Sequence, residues 1–249
     1  MKLINTGKKN SVETPEKAKN VLTNDSKFAI VEGYKIARTN LVFSLTALKS
    51  NCVAVTSWSK GEGKSTATVN LAISFAKMGK RVLLIDTDLR RPNLHNLLKL
   101  KNESGVSDVI GQFNDFDNAV HRDAVPCLDV LTSGAIPPNP SELLASAYFA
   151  ELVEKAKQVY DYVVMDTPPL GVVADTLTMK DLVGGFVLVV REKVTSHGDI
   201  ERALQSVRLA DSKVLGFLKV GCELRSKRYG KKYNYNYSYN YNSNYYYRY

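Results

Sequence analysis

Gly61-Glu62-Gly63-Lys64-Ser65-Thr66 is the stretch of this chain best suited to chemistry, and its neighbours explain why. An apolar, β-branched run from Val53 to Thr56 precedes it, and a helical pattern (Ala67, Val69, Leu71, Ala72, Phe75, Ala76) follows at once. Strand, glycine turn, Gly-Lys-Ser, helix is the order of a phosphate-binding loop. Gly61 and Gly63 have no Cβ, so backbone N–H groups can close on phosphate oxygens. The helix start adds the positive end of its dipole. Lys64 would supply a point charge to the β- and γ-phosphates of ATP, and Ser65 a hydroxyl to Mg²⁺. The strict G-x-x-x-x-G-K-[ST] spacing asks for glycine at 58, where this chain has Trp58.

Two aspartate motifs extend that chemistry. Val82-Leu-Leu-Ile-Asp86 runs into Thr87-Asp88-Leu-Arg90-Arg91-Pro92, and Tyr162-Val-Val-Met-Asp166 into Thr167-Pro-Pro169. Carboxylates at the carboxyl ends of parallel strands point into the crevice where open α/β sheets bind ligands. An apolar strand ending in aspartate after a P-loop is the Walker B pattern, whose carboxylate serves Mg²⁺ or its water shell.

The elements that must position these groups alternate between strand and helix. Helical spacing covers about Phe28–Lys49, and Glu32, Lys35 and Arg38 fall on one face of it, which by spacing alone is a solvated face with local ion pairing. Further strands are expected at Cys127–Thr132, Gly185–Arg191 and Lys213–Val220, and helices at Ser141 to about Lys157 and Ser196 to about Ala210. Residues 93–125 are expected to be peripheral, with short helices at Leu94–Leu100 and Val106–Ile110. The pattern predicts an α/β P-loop NTPase of the MinD/ParA-like kind, a mostly parallel sheet with helices on both faces. Residues 1–26 are expected to form a flexible N-terminal arm, 27–222 the P-loop domain, and 223–249 a disordered tyrosine-rich tail.

Composition narrows the partners. The net charge of +9 sits at the ends: residues 1–27 carry six Lys against three acids, and 221–249 six Lys/Arg against one Glu. The near-neutral centre speaks against a large nucleic-acid face on the fold itself. Three scattered cysteines form no C-x-x-C; Cys52 and Cys127 beside apolar runs are expected in the core. His95, His121 and His197 lack metal-ligand spacing. No run approaches the ~20 apolar residues of a membrane span, so a soluble, cytoplasmic chain is expected. The tail holds Tyr229, Tyr233, Tyr235, Tyr237, Tyr239, Tyr241, Tyr245, Tyr246, Tyr247 and Tyr249, ten of the chain's 14 tyrosines. Its residues alone leave three readings: adhesive low complexity, single-stranded nucleic-acid binding, or a multiple phosphoacceptor, which an ATP site on the same chain favours.

Together these segments make the chain resemble the bacterial tyrosine kinases of capsular and exopolysaccharide synthesis, in the form of the separate cytoplasmic subunit found in Gram-positive bacteria. Gly61–Thr66 matches Walker A, Leu83–Pro92 the family's Walker A′, and Met165–Pro169 Walker B; Ser133–Leu144 and Arg38-Thr39-Asn40 also look like family segments. The resemblance implies ATP- and Mg²⁺-dependent autophosphorylation of the tyrosine tail. Lys64 would bind phosphate and Ser65 the metal, Asp86 would accept the tyrosine proton, and Asp88 and Asp166 would act on the metal through water. It implies a ring-shaped homo-oligomer in which a tail enters a neighbour's site. Glu32, Lys35 and Arg38 would stand as its E-x-x-R-x-x-R interface motif, with Lys35 in place of an arginine. It also implies an activating transmembrane polysaccharide co-polymerase at the inner face of the membrane, and a cognate tyrosine phosphatase. Many members carry proline where this chain has Lys60, and asparagine near Val220. The rival readings are a MinD/ParA-like ATPase positioning switch, whose early P-loop lysine would fall at Ser59, and a nucleic-acid-binding protein using its basic aromatic tail.

Overall fold

The computed structural model describes residues 20–222. In chain order its elements are α1 (Phe28–Ala47), β1 (Cys52–Ser57), α2 (Lys64–Ala76), β2 (Val82–Asp86), α3 (Leu94–Leu98), α4 (Val106–Ile110) and α5 (Phe116–Ala119). They continue with β3 (Val120–Val125), β4 (Leu128–Leu131), α6 (Pro140–Leu144), α7 (Ala147–Val159) and β5 (Tyr162–Asp166). The domain closes with α8 (Asp175–Thr178), β6 (Phe186–Arg191), α9 (His197–Leu209) and β7 (Val214–Val220). The seven strands form one sheet in the order β3-β4-β2-β5-β1-β6-β7. All neighbours are parallel except β3 and β4.

The central strands read as unbroken apolar runs because both faces of the sheet are covered. Val53 and Val55 of β1 join Leu41, Leu45 and Phe75 in the core under α1 and α2. Cys52 and Ala54, one residue out of phase, join Phe149, Val153 and Val207 in the core under α7 and α9. Helix α2 is covered on every side, and every residue from Ala67 to Ala76 is buried, Thr68, Asn70 and Ser74 included. A helix packed all round cannot shift without opening the core, so its first residue, Lys64, is held in place.

Several expectations change. The antiparallel edge strand β3 was not expected. Its centre, His121-Arg122-Asp123, is polar, and it is held sideways, with Arg122 Nη1 donating to Asp129 Oδ2 at 2.8 Å and to Tyr160 Oη at 2.7 Å. Pro126 and Cys127 make the turn into β4; Cys127 takes a φ of 65° and is exposed, so only Cys52 of the pair belongs to the core. The single helix expected from Ser141 is two helices. The first starts at Pro140, and Ser146 caps the second by accepting from the Phe149 amide at 3.3 Å. Within residues 20–26, placed in the arm by their sequence, Leu22 is buried and its amide donates to Asn70 Oδ1 at 2.7 Å.

Candidate active site

The loop between β1 and α2 takes the shape its glycines permit. Gly61 and Gly63 have φ of 80° and 87°, a left-handed conformation that strains any side chain. Space is not the reason at Gly63, where an added Cβ would meet its nearest neighbours, Arg191 Nη1 and Val220 Cγ2, at 3.5 and 3.6 Å. No side chain caps α2 at Gly63, so its first amides remain available to an anion. The loop forms one wall of an open cleft of about 940 Å³, lined also by Asp88, Arg90, Arg91, Pro168, Pro169 and Arg191. That volume suits a nucleotide.

At its floor Lys64 Nζ donates to Asp166 Oδ1 at 2.8 Å and lies 3.7 Å from Asp88 Oδ2 and 3.3 Å from Ser65 Oγ. Thr68, one turn along α2 from Lys64, donates its hydroxyl to the same Asp166 oxygen at 2.9 Å. The other oxygen, Asp166 Oδ2, is buried without a hydrogen-bond partner. A buried carboxylate oxygen left bare is costly unless something cationic or protic reaches it. Among the described residues no three His, Cys, Asp or Glu side chains cluster as a full metal cage. Mg²⁺, however, keeps most of its waters and takes only one or two carboxylates plus phosphate. Asp88, Asp166 and Ser65 fit that ion.

The two Walker A′ aspartates are not equivalent. Asp88 lines the cleft. Asp86 does not: it is fully buried and accepts from the amides of Asp88 (3.2 Å), Asn93 and Leu94 (both 3.1 Å), organising the turn after β2. The strand register sets Asp86 beside Asp166. Burial, and then the Asp166 carboxylate, push Asp86 up to about 7. Burial also raises Asp88, against the opposing pull of Lys64.

Other expected residues fall outside the cleft. Glu62, expected at the nucleotide, turns inward; its carboxylate accepts from the Ser59 amide at 2.9 Å and from the Thr195 hydroxyl at 2.5 Å. Trp58, where the strict pattern has glycine, lies under Gly171, whose absent Cβ leaves room for the indole, and Arg202 sits 5.4 Å from its ring. Glu32 and Lys35 pair at 2.7 Å on the exposed face of α1. Arg38 instead reaches across to α2 and donates to the Ser74 carbonyl at 2.7 Å. The tail tyrosines lie outside the described residues.

Sequence reasoning missed Thr68, Asp175 and Thr195. Thr68 was findable, since i and i+4 share a helix face and Lys64 was known to face the ligand. Asp175, buried, holds Arg90 through Nε at 2.7 Å and Nη2 at 3.2 Å. Burial alone would raise that carboxyl, but Arg90 and Ser141 outweigh it and lower it. Its place 85 residues from Arg90 gives no local signal.

Residues 50–213 match a family described as AAA domain. A tyrosine-protein kinase of Bacillus subtilis, YwqD, is 40% identical over 200 residues, spanning 80% of this chain and 84% of that one. The kinase domain of the Escherichia coli tyrosine kinase ETK superposes with a TM-score of 0.75 at 31% identity, covering 82% and 80% of the two chains. A MinD complexed with Mg-ADP from Pyrococcus horikoshii gives 0.57 at 23%, covering 67% and 68%, a likeness of fold alone. With Lys64, Asp88 and Asp166 around a P-loop cleft in that fold, the chain belongs to the bacterial tyrosine-protein kinases.

Proposed function

We propose that the chain is an ATP- and Mg²⁺-dependent autokinase that phosphorylates its own C-terminal tyrosines in trans within a ring-shaped oligomer. In this reading it acts in capsular or exopolysaccharide synthesis and export. The observation that carries this is the grouping of Lys64, Ser65, Asp88 and Asp166 at the cleft floor, with one Asp166 oxygen bare. Lys64 would turn from Asp166 to the β- and γ-phosphates, and Ser65, Asp88 and Asp166 would hold Mg²⁺, which neutralises charge on the transferring group. A tyrosine near pKa 10 arrives protonated. Its proton would pass to the Walker A′ carboxylates as the P–O bond forms; Asp88 faces the cleft, and Asp86, raised to about 7, stands directly behind it. A random chain of about 28 residues, the length of the tail, would span roughly 30 Å, enough to reach a neighbour. The exposed Glu32–Lys35 pair would contribute to the ring contact, and a transmembrane adaptor at the inner face of the membrane would activate the kinase. A cognate phosphatase would reset the tail. Among the described residues no helix is long and apolar enough to cross a membrane.

Incubation with γ-labelled ATP, Mg²⁺ and an adaptor fragment tests the proposal. Label on tyrosine that is lost in Lys64→Met or on deletion of 229–249 supports it. Phosphate release without labelled protein would instead identify an ATPase switch.

A further inference from the structure

We infer that Arg191 is a polyphosphate-contacting residue of the nucleotide cleft, and that Glu62 and Thr195 are the positioning pair that delivers it. The inference rests on the nucleotide reading of the cleft and extends it to a segment outside all three Walker motifs in sequence. Strand β6 ends at Arg191, and the chain turns back at once, with the Val194 and Thr195 amides donating to the Arg191 carbonyl at 3.1 and 2.9 Å. The Thr195 hydroxyl closes that turn from the other side, accepting from the Arg191 amide at 2.8 Å. The same hydroxyl donates to Glu62 Oε1, while Glu62 Oε2 accepts from the Ser59 amide at 2.9 Å. One buried carboxylate thus ties the start of the P-loop to the turn after β6. A buried carboxylate is retained at a cost unless its bonds serve the fold or the site.

The consequence is local. The Arg191 guanidinium is brought against Gly63, the residue before Lys64, with Nη1 3.5 Å from where a Cβ would stand, and Arg191 lines the cleft while Glu62 and Thr195 do not. Arg191 is exposed, and among the described residues no carboxylate pairs with its guanidinium. A planar cation with free N–H groups, fixed at its backbone and placed beside phosphate-cradling amides, recognises phosphate oxygens bidentately. Lysine would supply charge there without the fork.

Titration of the full chain with a fluorescent ADP analogue and Mg²⁺, alongside thermal melts and steady-state kinetics, tests this. Arg191→Ala is expected to weaken ADP binding about tenfold and to raise the KM for ATP with little change in kcat; Arg191→Lys is expected to fall between. Thr195→Val and Glu62→Gln are expected to weaken binding severalfold, and Thr195→Ser to restore it. Arg191→Ala that binds within twofold of the wild type overturns the inference, and Arg191, being exposed, can be changed without emptying the core. Thr195→Val and Glu62→Gln proteins that melt earlier but bind ADP normally overturn the positioning role. Phosphotyrosine labelling of the same samples judges the autokinase proposal separately, because nucleotide affinity is read without any phosphoryl transfer.

Discussion

Lys64 and Asp166, 102 residues apart in sequence, meet at 2.8 Å on the floor of the cleft, where the lysine carries out in the ligand-free chain part of the charge balance that a nucleotide's metal would provide. The Asp166 carboxylate is fully buried, so Lys64 is its counter-ion, and in the proposed reaction it would turn from that role to phosphate. Lys64→Met therefore loses more than activity. Removing one partner of a buried pair costs about 3–5 kcal/mol, reduced here because Lys64 opens to solvent on the cleft side. Ligand-free Lys64→Met is expected to melt several degrees below the wild type, and Lys64→Met/Asp166→Asn to recover most of the loss. A differential scanning experiment in which the double variant melts no higher than the single one would contradict the pairing.

The two Walker A′ aspartates should separate by variant. Asp88→Asn is expected to reduce tyrosine phosphorylation by orders of magnitude with the fold intact, since Asp88 faces the cleft. Asp86→Asn keeps an oxygen that can accept from the Asn93 and Leu94 amides, and its effect on stability should depend on pH. An unfolded aspartate titrates near 3.8 and folded Asp86 near 7. The folded chain thus holds a proton that the unfolded chain releases, so this group's stabilising contribution is complete below the lower value and is lost as pH rises through about 7. Ligand-free wild type should lose stability between pH 5 and 8 more steeply than Asp86→Asn. Equal slopes in urea titrations at the two pH values would refute the assignment.

How much of this was legible depended on whether the signal was local. Val53–Thr56, Gly61–Thr66 and Asp166 were readable because a parallel strand buried on both faces is apolar throughout and then stops at its functional end. Strand β3 was not, because its polar centre is stabilised by Arg122, Asp129 and Tyr160 acting from three separate segments. The direction of the Glu62 side chain was not legible for the same reason. Its place in the loop suggested a ligand contact, but its partner Thr195 lies 133 residues away.

Residues 20–26 make a separate prediction about the N-terminal boundary. Asn70 on α2 accepts from the Leu22 amide and donates to the Asn20 carbonyl at 2.9 Å, so one side chain clamps two backbone groups. Asn20 also lines the cleft. Asn70→Ala leaves the buried Leu22 amide without its acceptor, at about 1–3 kcal/mol. Hydrogen exchange should show Leu22 losing protection while the β1 amides keep theirs. Protection at Leu22 that survives Asn70→Ala would mean the clamp does not hold the segment.

The tail's charge predicts how the proposed switch resets. Residues 221–249 carry six Lys/Arg against one Glu, and ten tyrosines. Each phosphate adds about −1.5 to −2 charge at neutral pH. Before modification the tail is a cation. After about three or four additions, at that charge per phosphate, the excess is cancelled and further phosphates make the tail an anion, repelled by other modified tails. Multiple phosphorylation is therefore expected to weaken ring assembly or adaptor docking, and added salt to blunt the difference. Sedimentation with adaptor, comparing the fully phosphorylated chain with one whose tail tyrosines are all phenylalanine, reads this directly. Identical assembly of the two would show that the tail's charge plays no part in the reset.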